Sequence, residues 1–341
     1  MRPDRVSTGL LDSHGQVWAL PDYVIATAFD DRGRLAFALG DGSLHLHSAQ
    51  QAAELDRVAV HDGACLSLAA LPGGGFVSGG DDGHCRITRP GQAPLTLHES
   101  PGRWVEHVAA ARGGLVGCAV GRTLRLFLDG QPIASHDYPS SIGGLAFSPD
   151  GRRIAVAHYG GVSLRSTRHA SSDAQLLPWK GSHVGVTWSP NARFVLSAMQ
   201  EDCLRGWRLE DKADLRMSGY PRKVTDWAWL DRGRHLVTNG AECAPCWPFT
   251  TRKGPMDQAP LTLGSRPGRR VTAVAGDPGR PLAAVGYDDG MVLLCQLDGG
   301  VPALVRDTGS APVTALAMSG DGHQLALGCE DGSAGWLTLS A

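Results

Sequence analysis

One unit recurs along the chain, and a recurring unit limits the fold more than any other feature, because every copy must bury its faces against the next. The unit is an apolar stretch, a Gly- or Pro-containing turn, a second apolar stretch, a Gly/Asp turn and a third stretch. Its clearest copies are IGGLAFSPDGRRIAVAHYGGVSLRS from Ile142, VTALAMSGDGHQLALGCEDGSAGWLTL from Val313, VTAVAGDPGRPLAAVGYDDGMVLLCQL from Val271 and VIATAFDDRGRLAFALGDGSLHLHS from Val24. Four weaker copies start at Cys65, Val105, Val184 and Val224. The spacing is about 40 residues, the length of a four-stranded propeller blade. One longer interval, from Val224 to Val271, holds TTRKGPMDQAPLTLGSRPGR, which reads as an extended loop.

Each apolar stretch has strand length, and the turns are rich in Asp and Gly, as hairpins require. The 45 Gly and 21 Pro of the 341 residues are spread along the chain, which agrees with many tight turns. Short fourth stretches such as AELDRVAVH and APLTLHES complete four antiparallel strands per unit. A lone sheet of this kind cannot cover both of its faces, whereas radial stacking covers both. The expected fold is therefore all-β: one domain over residues 1–341, an eight-bladed β-propeller with four antiparallel strands per blade. The alternative is seven blades with one irregular repeat. The last repeat ends on its third strand, so the N-terminal segment Arg5 to Leu20 (VSTGLL or QVWAL) is expected to supply the missing strand and close the ring. No segment reads as a helix of 12 residues or more.

The composition narrows the function classes. Thirty-two basic and 34 acidic residues leave a net charge of −2, without the basic excess of a general nucleic-acid binder. No apolar core of signal-peptide length and no run approaching 18 apolar residues is present, so the expectation is a cytoplasmic protein away from membranes. Several of the eight Cys lie in strand-like apolar runs, where free buried thiols are expected rather than a disulfide framework.

The SPDG-type turn after an alternating apolar strand, followed by a DG turn, resembles the WD40-repeat family over nearly the whole chain. The departures are the missing Gly-His and Trp-Asp dipeptides; Gly206-Trp207-Arg208 and Gly335-Trp336 keep only the Trp. The family's hydrogen-bond tetrad is therefore not carried over. The resemblance implies a non-catalytic scaffold that binds a protein or peptide on one end of the propeller, where the loops into the first strands meet the second turns; the expected state is a monomer. Before the first strands stand Tyr23, Trp104, Tyr138, Trp179, Lys180, His183, Tyr220, Arg222, Lys223, Arg266, Arg269 and Arg270. At the turns stand Asp41, Asp81, Asp82, His84, Tyr159, Glu201, Asp202, Glu242, Asp288 and Asp289. Aromatic residues and Arg are the usual anchors of interfaces. The expected partner site is Tyr23, Trp104, Trp179, Lys180, His183, Tyr220, Arg222, Lys223, Arg269 and Arg270, against the plainer reading of ordinary solvated loop charge.

Two rival readings rest on other residues. At the third position of the first strands the repeats carry Ala26, Ser67, His107, Gly144, Gly185, Asp226, Ala273 and Ala315. Small residues suit crowding near an axis, so His107 and Asp226 mark a possible channel site, or polar groups satisfied by nearby backbone. A propeller enzyme would use them. Cys243-Ala-Pro-Cys246 in the sixth repeat is a CxxC that, with Cys203 and His183, could hold zinc in a metal-binding or metal-delivery protein; a lone CxxC falls short of the four ligands of a closed zinc site. Leu44-His45-Leu46-His47 reads as an exposed strand face. Trp188, Trp227 and Trp229 read as core between blades. No GxSxG, HExxH, Walker A or GxGxxG in its proper context appears, so no catalytic residue is assigned.

Overall fold

The hairpins of each repeat are set by short-range polar chemistry. In the turn after Ile142, Ser148 Oγ donates to Asp150 Oδ1 at 2.6 Å, and the same oxygen accepts the Arg152 amide. Ser319 and Asp321 repeat this arrangement, as do Ser189 and Asn191. At the second turn Asp41, Asp82 and Asp331 each accept the amide two residues on. Such Asx turns bend the backbone locally, before any long-range contact forms. Gly42 is required here on two counts. Its φ is +76°, and a Cβ would collide with the carbonyl oxygens of His61 and Gly63.

The computed structural model describes residues 9–47, 54–168, 173–309 and 311–339. The strands pair antiparallel with their sequence neighbours to form a β-propeller. The first sheet comprises Val24–Phe29, Leu35–Leu39, Ser43–His47 and Asp56–Ala59; the second Cys65–Ala70, Phe76–Gly80, His84–Thr88 and Leu95–Glu99; the third Val105–Ala111, Leu115–Val120, Thr123–Leu128 and Gln131–Asp137. The fourth spans Gly144–Phe147 to Ala213–Met217. The fifth comprises Trp227–Leu230, His235–Thr238, Ala244–Pro248 and Leu261–Leu263; the sixth Val271–Gly276, Leu282–Tyr287, Val292–Gln296 and Ala303–Arg306. In the seventh, Val313–Met318, Gln324–Cys329 and Ser333–Thr338 are joined by Gly15–Ala19, with Val17 opposite Gly335. Residues 6–8 of VSTGLL lie outside the described residues, and Leu10–His14 forms one short helical turn whose Leu11 is buried.

The expectation of eight blades is corrected. Counted by hydrogen-bonded sheets the propeller has seven, of which six have four strands and the fourth has six. The repeats from Ile142 and Val184 cause the difference. Their long strands Arg153–Ser166 and Gln175–Trp188 run through positions where other repeats break. At the turn between the second and third stretches, Gly160 and Gly161 take positive φ where other repeats have Asp-Gly, and Tyr159 pairs with Ser182. Gln175–Trp188 then pairs at its start with Arg153–Ser166 and at its end with Phe194–Met199, so two repeats share one sheet. The count of seven is that of the alternative, but it comes from two repeats sharing one sheet and not from one irregular repeat.

First strands of adjacent sheets pack side by side: Val24–Phe29 lies against both Cys65–Ala70 and Val313–Met318. They line the central channel. Crowding there is evident at Gly144, where a Cβ would stand 2.8 Å from Gly185 Cα, and at Gly185, covered by the Trp227 ring. Most cores sit between sheets; in the fused fourth sheet one lies between its two repeats, where Trp188 closes it with its indole N–H on the Ala146 carbonyl. Leu44-His45-Leu46-His47 does not form an exposed face. All four are buried, because a third strand is covered by a neighbouring sheet on each side. His47 packs against the rings of Trp18 and Trp336.

Candidate functional site

The mouth of the channel gathers two adjoining cavities lined by charged side chains. Five first strands, and Gln175–Trp188 within the fused fourth sheet, enter it through a register shift, between Val24 and Ala26, Cys65 and Ser67, Val105 and His107, His183 and Gly185, Val271 and Ala273, and Val313 and Ala315. Such bulges re-aim the intervening side chain. Thr272 and Thr314 are two of these intervening residues, and both line a cavity of 710 Å³. In the fifth sheet a side chain takes the place of the bulge. Asn239 Oδ1 accepts the amides of Thr225 and Asp226, while its Nδ2 donates to the Thr272 carbonyl of the next sheet.

Arg222, Lys223 and Arg270 line the same cavity, opposed by Asp202 and Glu330. A second cavity of 860 Å³ adjoins it, lined by Arg222, Glu242, Arg269, Arg270 and Asp288 among others. Pro221, Arg222 and Arg270 belong to both. Four of the residues expected at a partner site are thus brought together. Their charges are not equally available. Arg266 grips Asp289 with two bonds of 2.8 Å, holding that carboxyl below the usual range, and Arg269 adds a contact at 3.3 Å. Lys223 reaches Gln200 at 3.4 Å. Arg222 and Arg270 have exposed side chains with no acid within 4 Å among the described residues. Asp288 Oδ1 is buried without a hydrogen-bond partner among the described residues.

Other expected partner residues lie elsewhere or inside. Tyr23 and Trp104 are exposed but line neither cavity. Trp179 is half-buried under the Arg205 guanidinium, 3.8 Å from its ring centre, and the neighbouring Lys180 is exposed. His183 and Tyr220 are corrected: both are buried and serve as internal posts. His183 bonds Ser197 Oγ at 2.8 Å and the Trp179 carbonyl at 3.0 Å. Tyr220 shares a hydrogen bond with Thr238 Oγ1 at 2.8 Å and accepts the Trp247 indole N–H at 2.6 Å. A third post joins His61 to Ser78 and Asp82. Burial pushes the His61 and His183 imidazoles below their ordinary range, so both are neutral near pH 7. Many of the turn acids are similarly engaged, Asp41 with Ser43 and Arg57, and Asp82 also with His84 and Arg86. Asp81, Glu201 and the exposed Tyr159 contribute to neither cavity.

His107 is half-buried on the channel wall, and burial holds its imidazole low. Asp226 lies on the same wall with both carboxylate oxygens engaged: Oδ2 accepts the Val274 amide of the next sheet at 2.8 Å and Oδ1 the Trp227 amide at 3.0 Å. Burial raises its carboxyl to about 6, while these two amides act in the other direction. Its geometry is that of a clasp between the fifth and sixth sheets.

Among the described residues, Cys243 and Cys246 are not brought together with Cys203 and His183 as one ligand group. Cys246 is fully buried in the core shared with Val237, Leu263, Tyr287 and Cys295, where burial pushes its thiol up to about 12. Cys243 is half-buried and its thiol is raised as well. Cys203 is buried, and both His183 ring nitrogens are already engaged. No group of three His, Cys, Asp or Glu placed to hold a metal ion occurs among the described residues. No helix among them is long and apolar enough to cross a membrane.

No protein-family model matches the chain, and no curated protein matches it. Solved structures do: 1841 chains match, a number too large to single out one function. Among them is the crystal structure of the computationally designed Ika8 protein, which aligns with a TM-score of 0.75 and 18% sequence identity over 94% of this chain and 98% of that one. The likeness shows the propeller fold.

Proposed function

We propose that the protein is a non-catalytic scaffold that binds a polypeptide partner at the channel mouth. The observation that carries this reading is the pair of adjoining cavities sharing Arg222 and Arg270, whose guanidinium groups have no acid within reach among the described residues. A carboxylate-bearing segment fits both, and Arg binds carboxylates in a fixed two-pronged geometry. Asp202, Glu242, Asp288 and Glu330 around the same rim favour a segment of mixed charge over a polyanion such as nucleic acid. The repeat's resemblance to WD40 units supports the same class of role.

Affinity purification from a native extract, with the wild type and with an Arg222→Glu/Arg270→Glu double variant, tests the proposal. Recovery of a specific partner should fall by about 10- to 100-fold, the cost of losing two interface anchors. Equal recovery by a variant with an unchanged melting temperature would remove the site.

A further inference from the structure

We infer a second docking surface, at the opposite end of the first strands from the channel mouth, for a segment with aliphatic or aromatic side chains flanked by carboxylates. A groove of 530 Å³ runs between the third and fourth sheets, its apolar wall made by Leu115, Leu128 and Ile133. Leu128 is 40% and Ile133 37% exposed, high for aliphatic side chains, and they stand together. Gly130 lies beside Leu95, itself 49% exposed: a Cβ built at Gly130 would stand 3.7 Å from a Leu95 methyl, an ordinary contact. A smaller cavity of 300 Å³, lined by Leu95, Asp129 and Gly130 among others, lies on that side.

Charge decides the occupant. Arg112, Arg152 and Arg168 line the groove and Arg89 lines the smaller cavity, against Asp150 and Asp129. Among the described residues only Arg152 of these has an acid within 4 Å, Asp150 at 3.8 Å, and both groups of that pair are exposed, so it holds little. Three guanidinium groups beside clustered aliphatic side chains complement an acidic, amphipathic segment and repel a basic one. The floor is already fixed, with Thr167 bonded to the carbonyls of Gly151 at 2.7 Å and Arg152 at 3.0 Å, so docking need not order it.

A phage-displayed library of random 12-residue peptides, selected on the wild type with soluble Leu128→Asp/Ile133→Asp protein as competitor, tests the inference. The enriched peptides should carry paired apolar residues next to Asp or Glu. Their binding should weaken at least about tenfold with Leu128→Ser or Arg112→Glu/Arg168→Glu. It should be unchanged with Arg222→Glu/Arg270→Glu, which separates this surface from the channel mouth. Thermal unfolding checks that each variant is folded. Enrichment of basic peptides, or of none that the competitor distinguishes, overturns the proposal. So does a self-association abolished by Leu128→Ser, which would assign the groove to a second copy of the chain.

Discussion

At the residue scale the sharpest feature is a carboxylate that a sequence pattern singled out as odd. Asp226 stands where other repeats place small residues, and its two oxygens accept amides from its own strand and from the next sheet. Burial lifts its carboxyl from 3.8 to about 6. The folded protein therefore holds this proton more tightly than the unfolded chain does. The favourable contribution of the protonated form is complete below about pH 4 and is lost as pH rises through 6. The buried His61 and His183 act oppositely, since their lowered imidazoles make folding weaker as pH falls through about 6.5. Comparing Asp226→Asn with the wild type separates the two effects. Urea unfolding at pH 4, 5, 6 and 7 should show the stability difference drifting in the variant's favour by on the order of 2 kcal/mol between pH 4 and 7. Parallel profiles would show that Asp226 does not titrate in this window. Sequence alone located Asp226 but not its clasp, because Val274 lies 48 residues away. The posts at His61, His183 and Tyr220 were hidden for the same reason. Each pairs with a hydroxyl 14 to 18 residues on, and without the usual dipeptides nothing in the local sequence announces it.

At the element scale, strand number and turn positions were legible because the turn chemistry is local. Which strands merge was not. The Gly160-Gly161 turn looks like any other Gly-rich turn in sequence, and only the pairing of Tyr159 with Ser182 shows two repeats drawn into one sheet. The burial of His45 and His47 is hidden in the sequence for a related reason. Period-two alternation marks one solvated face in an open sheet, whereas an inner propeller strand is covered on both faces. The element that closes the ring is Gly15–Ala19, held to Ser333–Thr338 by five register pairs. Trp18 anchors it, with ring centres 6.0 Å from Phe37 and 5.4 Å from His47. Trp18→Ala should remove about 2–4 kcal/mol, somewhat under the cost for a wholly buried Trp. In native-state hydrogen exchange, the amides of Ser333–Thr338 should lose protection first, ahead of those in the third sheet. Uniform loss across all sheets would mean that the seam is no weaker than the rest of the ring.

At the scale of the whole molecule, the ring makes the site and the termini separable problems. The channel mouth draws Arg222 and Lys223 from before the fifth sheet, Arg270 from before the sixth and Glu330 from the seventh. Its geometry therefore depends on the ring being closed, and should not depend on where the chain is cut. The seventh sheet is already closed by a strand from the other end of the chain. The sixth can be closed in the same way. Its third and fourth strands, Val292–Gln296 and Ala303–Arg306, are joined by an exposed loop in which Val301 is 98% accessible. Opening the chain between Gly299 and Gly300, and joining the present ends through a short Gly-Ser linker, makes Ala303–Arg306 the new first strand. It would pair with Val292–Gln296, now near the new last residue, as Gly15–Ala19 pairs with Ser333–Thr338 today. Exposed loop tips with few backbone bonds tolerate such cuts. The permuted protein should unfold in one cooperative transition within about 5 °C of the parent, since no sheet pairing is removed. It should also keep the partner binding that depends on Arg222 and Arg270. A drop beyond about 15 °C, or a broad transition, would show instead that the seam at Gly15–Ala19 holds the ring in a way its register pairs alone do not explain.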